Sequence, residues 1–359
     1  MDDLNMSHDA AEAERSMLKG LGWRPFFVRQ LSLDDDGDLV PVRVTAVHRS
    51  GLHVLGPGVD AAIPPFADPS GGREQVATIG DWLLYDPASG SAIRLLDRQS
   101  LFKRRAPGSG REVQLIAANI DTVFIVTSCN QDFNIARLER YLTIAREAQA
   151  MPVIVITKAD LAEDAEAYAE QAQALDSNLC IELVNATEPG AVKRLHPWCA
   201  PGQTVVFVGS SGVGKSTLIK SLTGQQDIAT QEIREDDAKG RHTTSSRELY
   251  QLENGAWLVD TPGMRELQMV DVKDGLALVF SDLADLAAHC RFSDCRHETE
   301  PRCAVLAAIE RGEVDADRVQ RWKKLIAEEE RNSESLSERR ARDRAFGNMI
   351  KAVKRDSKK

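Results

Sequence analysis

Between Trp23 and Pro107 the hydrophobic positions come in short stretches. "LVPVRVTAVHR" alternates, "GDWLLYD" is a further strand-like run, and Gly, Pro, Asp or Ser punctuate the pattern every eight to twelve residues. Period-two alternation with frequent turns predicts short strands in a small barrel or sandwich. After a basic, Gly-containing linker, "RQSLFKRRAPGSGREVQ", the texture changes. "DTVFIVTSC", "MPVIVITKAD", "CIELVNA", "TVVFVGS" and "AWLVDTPG" carry compact apolar runs, and helical patterns such as "IARLERYLTIAREAQ" and "EDAEAYAEQAQAL" lie among them. Short buried strands alternating with helices predict an α/β domain with a largely parallel sheet. From about Leu276 the pattern is helical, interrupted by a Cys-rich loop at 290–303. The division expected is a flexible or loosely helical leader (1–22), a β-rich domain (23–107), an α/β domain (108–275), a helical Cys-containing domain (276–330) and a charged tail (331–359).

Composition narrows the class. A chain of 359 residues that is 42% hydrophobic can bury two or three cores. The acidic start "MDDLNMSHDAAEAERSML" has no basic stretch leading into an apolar run, and no stretch is long and apolar enough for a membrane helix. The expectation is a cytoplasmic, monomeric protein with no membrane partner. Cys129, Cys180 and Cys199 are scattered, and the other three cysteines are clustered, which is not a disulfide framework. A net charge of −10 argues against a protein that simply coats nucleic acid. Residues 339–359, however, hold nine Lys or Arg against two Asp, a net +7 that leaves −17 on the rest. Such a tail is either solvated or an arm for an anionic surface, RNA above all.

"GSSGVGKS" fits G-x-x-x-x-G-K-S, with a strand before it and a helical pattern after it. Backbone N–H groups along Gly209, Ser210, Ser211, Gly212, Val213, Gly214, Lys215, Ser216 and Thr217 can turn inward on phosphate oxygens, helped by the helix N-terminus. Lys215 should reach the β and γ phosphates, and the Ser216 hydroxyl should bind Mg²⁺. In "DTPG", Asp260 ends an apolar strand, where its carboxylate can hold the magnesium shell, and Gly263 can place an N–H on the γ-phosphate.

"TKAD" supplies a base reader. The Asp160 carboxylate can accept from guanine N1–H and the exocyclic amine, a pair that adenine lacks. The Lys158 stem can pack over the base; Thr157 stands where Asn is commoner, and "VNA" could offer the Ala186 N–H. Yet "TKAD" precedes the phosphate loop, the reverse of the Ras-type order. In a parallel sheet the site lies at the carboxyl ends of the strands, whatever order the chain visits them in. The order therefore reads as a circular permutation.

Taken with "AANIDTVFIVTSCNQDFNIARLERYL", "ITKADL", "GSSGVGKSTL", "GRHTT", "DTPGMRE" and "CRFSDCRHETEPRCAV", the chain resembles the ribosome small-subunit-dependent GTPase A family. The resemblance implies an N-terminal OB-fold barrel, a circularly permuted P-loop GTPase domain and a C-terminal zinc domain. It also implies GTP hydrolysis to GDP, stimulated by the small ribosomal subunit and its rRNA, in late maturation of that particle.

"GRHTT" lies between the phosphate loop and Asp260, the place of a switch segment, so Thr243 or Thr244 should reach Mg²⁺. Met264 occupies the position of the water-orienting Gln, so intrinsic turnover should be slow, and His242 is the candidate catalytic group by elimination. Cys290, Cys295, His297 and Cys303 spell C-x4-C-x-H-x5-C, a closed tetrahedral set for one structural Zn²⁺ per chain, with His289 as a competing neighbour. The contrasting readings are a P-loop ATPase or small-molecule kinase carrying a structural zinc module, and an RNA-binding module with a degenerate nucleotide site. "TKAD" argues against the first, and intact Lys215, Ser216 and Asp260 against the second.

Overall fold

A computed structural model describes residues 2–31, 39–69, 73–105, 113–188, 190–223, 247–260 and 269–333. Compactness groups Met1–Lys103 with Leu115–Leu267 in one unit, and Arg104–Gln114 with Gln268–Lys359 in a second.

The first unit opens with helix α1 (Asp2–Gly20) and a single turn, α2 (Pro25–Val28). Strands β1 (Val40–His48), β2 (Gly51–Gly56), β3 (Val59–Ile63), β4 (Trp82–Asp86) and β5 (Ser91–Leu95) follow. All their pairings are antiparallel, in the order β3-β2-β1-β4-β5. Val42, Val44, Leu52, Val54 and Leu83 bury one shared core, which explains the alternation in the sequence. Strands β6 (Leu101–Arg105) and β7 (Val113–Ala118) form a separate two-stranded ribbon.

Next come β8 (Thr122–Ser128), α3 (Ile135–Glu147), β9 (Met151–Thr157), α4 (Glu166–Gln173), β10 (Cys180–Val184), β11 (Thr204–Gly209), α5 (Lys215–Thr223), β12 (Arg247–Gln251) and β13 (Trp257–Asp260). Strands β10-β9-β8-β11-β13 run parallel, with β12 antiparallel to β13. Every residue of β8 and β11 is buried, as expected for strands covered on both faces. Helix α3 buries Leu138, Tyr141, Leu142 and Ala145, a stripe at i, i+3, i+4 and i+7.

Compactness does not separate the β-rich strands from the α/β part, because β1 pairs antiparallel with β12 (Ala46 opposite Glu248) and extends one sheet through both. The expected leader is helical, and its end is fastened down. The Trp257 indole donates to the Gly20 carbonyl at 2.8 Å, and Arg43 Nη1 donates to the Leu21 carbonyl at 2.5 Å. Arg24 makes a two-pronged pair with Asp121, whose Oδ2 also accepts from the Thr204 N–H at 2.7 Å. These ties all lie at the starts of β8, β11 and β13, which leaves the opposite strand ends for chemistry.

In the second unit, α6 (Lys273–Val279), α7 (Ser281–Ala288), α8 (Ala304–Glu310) and α9 (Ala316–Ser333) pack through Phe280, Leu283, Val305 and Val319. Arg318 on α9 lies over the Phe280 ring at 5.1 Å and pairs with Asp282 at 3.0 Å.

Candidate functional site

The strand register sets Ser128 opposite Thr157, Thr157 opposite Val184, and Gly209 opposite Val126. The carboxyl ends of β8, β9, β10 and β11 therefore form one rim, to which β13 brings Asp260. Three widely separated stretches of chain meet there.

The loop from Gly209 to Gly214 turns through positive φ at three glycines. At Gly209, with φ 145°, a Cβ would sit 2.2 Å from the Val126 carbonyl oxygen, so no other residue lets β11 leave the sheet this close to β8. Val213 is buried in the core beneath, while Ser211 and Gly212 are exposed. Helix α5 opens as the Leu218 N–H bonds the Gly214 carbonyl at 3.0 Å. The Lys215 ammonium donates to the carbonyls of Gly209, at 3.0 Å, and of Ser210. A buried lysine held by the loop's own carbonyls lies across the concavity where phosphate would sit. The glycine turn, helix N-terminus and buried cation together make the donor set that a polyphosphate requires. Ser216 is half-buried and Thr217 exposed in the first turn of α5.

The "TKAD" stretch begins where β9 ends. Thr157 is fully buried, and its hydroxyl lies 2.6 Å from the Val213 carbonyl and 3.1 Å from the Thr127 carbonyl. The side chain that the motif made ambiguous is thus the direct tie between the "TKAD" loop and the phosphate loop. Lys158 follows in the left-handed region at φ 59°, and Asp160 is exposed in the short turn Ala159–Leu161. Burial raises the Cys129 thiol, and the Asp160 charge raises it further. Ala186 is buried in the turn after β10, where Asn185 Oδ1 accepts from the Thr187 N–H at 3.1 Å.

Sequence reasoning missed one participant. Arg137, in the first turn of α3, donates through Nη1 to the Ser210 hydroxyl. Nothing in its helical pattern marks it. His242, Thr243, Thr244, Gly263 and Met264, together with the tail 339–359, lie outside the described residues, as does the Asp260 side chain.

The cysteine cluster stands in the second unit. The ligand atoms of Cys290, Cys295, His297 and Cys303 lie within 4.8 Å of one another. Cys290 and Cys303 sulfurs are 3.8 Å apart, and His297 Nδ1 is 3.6 Å from the first and 3.3 Å from the second. Tetrahedral zinc, with bonds of about 2.3 Å to sulfur and about 2.0–2.1 Å to nitrogen, implies edges of about 3.8 and 3.6 Å. The residues present fit that ion. His289 is turned away, with Nδ1 at 2.8 Å from the Asp285 carbonyl of its own helix. Burial pushes the His297 imidazole pKa down, toward the neutral form that ligates. The loop is pinned from inside: the Glu300 carboxylate accepts from the N–H groups of Arg296, Glu298 and Thr299 at 2.8, 2.8 and 3.0 Å. Trp322 of α9 stacks on His297 with ring centroids 5.5 Å apart.

The family model described as RsgA GTPase matches residues 95–270. A Small ribosomal subunit biogenesis GTPase RsgA 2 of Vibrio parahaemolyticus serotype O3:K6 is 47% identical over 99% of both chains. The Small ribosomal subunit biogenesis GTPase RsgA of Mesorhizobium japonicum is 48% identical over 90% of this chain and 93% of its own. Among solved structures, YjeQ from Thermotoga maritima matches with a TM-score of 0.59 and 24% identity, covering 81% of this chain and 98% of its own. YloQ, described as a circularly permuted GTPase, matches with a TM-score of 0.56 and 22% identity, over 85% of this chain and all of its own. These two structures share the fold, and the strand order accounts for the inverted motifs. Counted from β11 and joined end to start, the chain visits β11, β12, β13, β8, β9 and β10 of the same sheet.

Proposed function

Because this chain belongs to the RsgA GTPase family and is a GTP hydrolase, we propose that it serves as a late assembly factor of the small ribosomal subunit, hydrolysing GTP when docked there. The observation that carries the nucleotide part is the Thr157 tie, which places the "TKAD" loop and the phosphate loop on one rim.

In this reading Lys215 and the Gly209–Thr217 backbone hold the phosphates, and Asp160, the Lys158 stem and the Ala186 N–H hold guanine. Ser216 and Asp260, with Thr243 or Thr244, hold Mg²⁺, which supplies charge neutralisation at the β and γ oxygens. Cys290, Cys295, His297 and Cys303 hold one Zn²⁺, which staples a unit of short helices. The five antiparallel strands act as an OB-type surface for rRNA, and the +7 tail as an electrostatic arm. No helix among the described residues is long and apolar enough to cross a membrane. A cytoplasmic monomer that works on the ribosomal particle is the arrangement proposed.

With Met264 in place of glutamine, the isolated chain turns over slowly, and docking brings His242 toward the attacking water. Stimulation of about 10²-fold corresponds to about 2.7 kcal/mol of transition-state stabilisation, within reach of one ordered polar group. The test is GTP hydrolysis with and without purified small subunits, for the parent and His242→Ala. The parent should be stimulated, and the variant should bind GTP and subunits without stimulation. Equal stimulation would remove His242 from the reaction, and a parent that ignores the subunit would remove the ribosomal role.

A further inference from the structure

We propose that Arg137 is a phosphate-contacting residue of the nucleotide site, reaching the end of the triphosphate that Lys215 serves. This rests on the guanine-nucleotide reading above and adds to it a residue that no motif contains.

Placement is the first argument. The cap of α3 fixes the Arg137 backbone: the Asn134 side chain accepts from the Arg137 N–H at 2.9 Å. That helix follows β8, whose Val126 pairs with Gly209 at the start of the phosphate loop. The first turn of α3 therefore stands beside the loop by construction of the sheet.

Convergence is the second. Two cationic side chains meet on Ser210. Arg137 donates to its hydroxyl, and Lys215 donates to its carbonyl. Like charges drawn together on one residue repel unless an anion sits between them. In a phosphate loop the lysine marks the β and γ phosphates, so an anion shared by both cations is that end of the nucleotide.

Arg137 also differs from other arginines of its unit in the partner it has. Arg24, Arg98 and Arg146 in the same unit each pair with a carboxylate. Among the described residues no carboxylate accepts from Arg137, and its guanidinium rests on a neutral hydroxyl. A phosphate oxygen is a far stronger acceptor for that group, and a guanidinium can hold two phosphate oxygens at once. In the sequence Met264 stands where a water-orienting glutamine is expected, and an arginine supplied in cis is a recognised way to stabilise the charge that develops.

The experiment uses the full chain with fluorescent GDP and a fluorescent non-hydrolysable GTP analogue, alongside single-turnover GTP hydrolysis. Arg137→Ala should weaken the triphosphate analogue by about tenfold, weaken GDP less, and slow hydrolysis by more than the affinity loss, with an unchanged melting temperature. Arg137→Lys should recover part of the affinity. Arg137→Gln, whose neutral amide can still donate to the Ser210 hydroxyl, should lose the analogue affinity as Arg137→Ala does. If Arg137→Ala matches the parent in analogue affinity and hydrolysis, the assignment is wrong. If Arg137→Gln binds the analogue and hydrolyses GTP like the parent, Arg137 only braces the loop through Ser210 and the proposal is equally overturned. A parent chain that binds neither nucleotide would overturn the guanine-nucleotide reading and take this assignment with it.

Discussion

Replacing Thr157 by valine exchanges one hydroxyl for a methyl group of similar size, so it isolates the tie between the "TKAD" loop and the phosphate loop. The hydroxyl has a single proton. Of its two neighbours the Val213 carbonyl at 2.6 Å is closer than the Thr127 carbonyl at 3.1 Å, so the phosphate loop takes the bond. A methyl group cannot remain at that distance, since carbon to carbonyl-oxygen contacts need about 3.3 Å or more. The Val213 carbonyl must therefore retreat by more than half an ångström, in a region where Val213 and Thr157 are both buried. The next residue of the loop also packs on this side chain, because a Cβ built on Gly214 would lie 3.4 Å from the Thr157 hydroxyl. An acceptor left unpaired in such a place costs about 1–3 kcal/mol. If the loop absorbs this by shifting, the cost appears in nucleotide affinity, where about 1.4 kcal/mol is tenfold.

The expected outcome for Thr157→Val is a GDP dissociation constant raised about tenfold, with a melting temperature lower by about 2–4 °C per kcal/mol of the remainder. Fluorescent-GDP titration and a thermal melt measure both. Thr157→Ser keeps the hydroxyl and should bind within about threefold of the parent, which separates the hydrogen bond from side-chain packing. Thr157→Asn, whose amide carries two donor hydrogens, should also hold the loop. Should Thr157→Val bind GDP and melt like the parent, the tie does not organise the site and the reasoning fails.

Three further substitutions address the base and the metal. Asp160→Asn should weaken GTP and gain xanthosine nucleotides, because the hydrogen-bond pattern it offers is inverted; unchanged GTP affinity would take the base-reading role away from Asp160. In the metal loop, backbone N–H groups, those of Glu298 and Arg296 foremost, hold the Glu300 carboxyl down to about 2. A carboxyl depressed in the folded chain gives its full stabilisation above the unfolded value of about 4.3 and loses it as pH falls toward 2. Glu300 therefore stays constant between pH 7 and 5, and zinc lost in that range reports the ligands alone. At pH 7, Glu300→Gln should give up zinc faster to a chelator, and Cys295→Ala should fail to hold one zinc per chain, both with GDP affinity intact. Retention at the parent rate would clear Glu300 of any part in the loop, and tight zinc in Cys295→Ala would break the ligand set.

What the sequence made legible was chemistry confined to neighbours along the chain. The cysteine ligands sit within fourteen residues, so their spacing already carries most of their geometry. Gly209 and Gly214 are needed for backbone conformation, and a backbone requirement shows directly as a residue type. Thr157 was legible only as an imperfect base reader. Its bond to Val213 crosses 56 positions and becomes visible only when β8, β9 and β11 are laid side by side. Arg137 was silent for the same reason. On the polar face of an amphipathic helix an arginine is unremarkable until the loop it touches is known. The leader, expected to be flexible or loosely helical, ends in ties from Trp257 and Arg43, contacts that alternation along the chain does not encode.

The inverted order of "TKAD" and the phosphate loop follows from the same geometry. A parallel sheet collects its active ends by register, and register is a property of neighbouring strands. Gly209 opposite Val126 and Ser128 opposite Thr157 hold the rim together whichever strand the chain makes first. Moving the chain ends changes which connections are covalent. It leaves the sheet pairings of β8 with β9 and β11, and with them the placement of Thr157 beneath the phosphate loop. In this chain the segment before β8 continues instead into the antiparallel strands, and β1 of those strands pairs with β12, the strand that leads out of residues 224–246. The permutation thus keeps the nucleotide rim and gives the added strands a hydrogen-bonded edge on the same sheet.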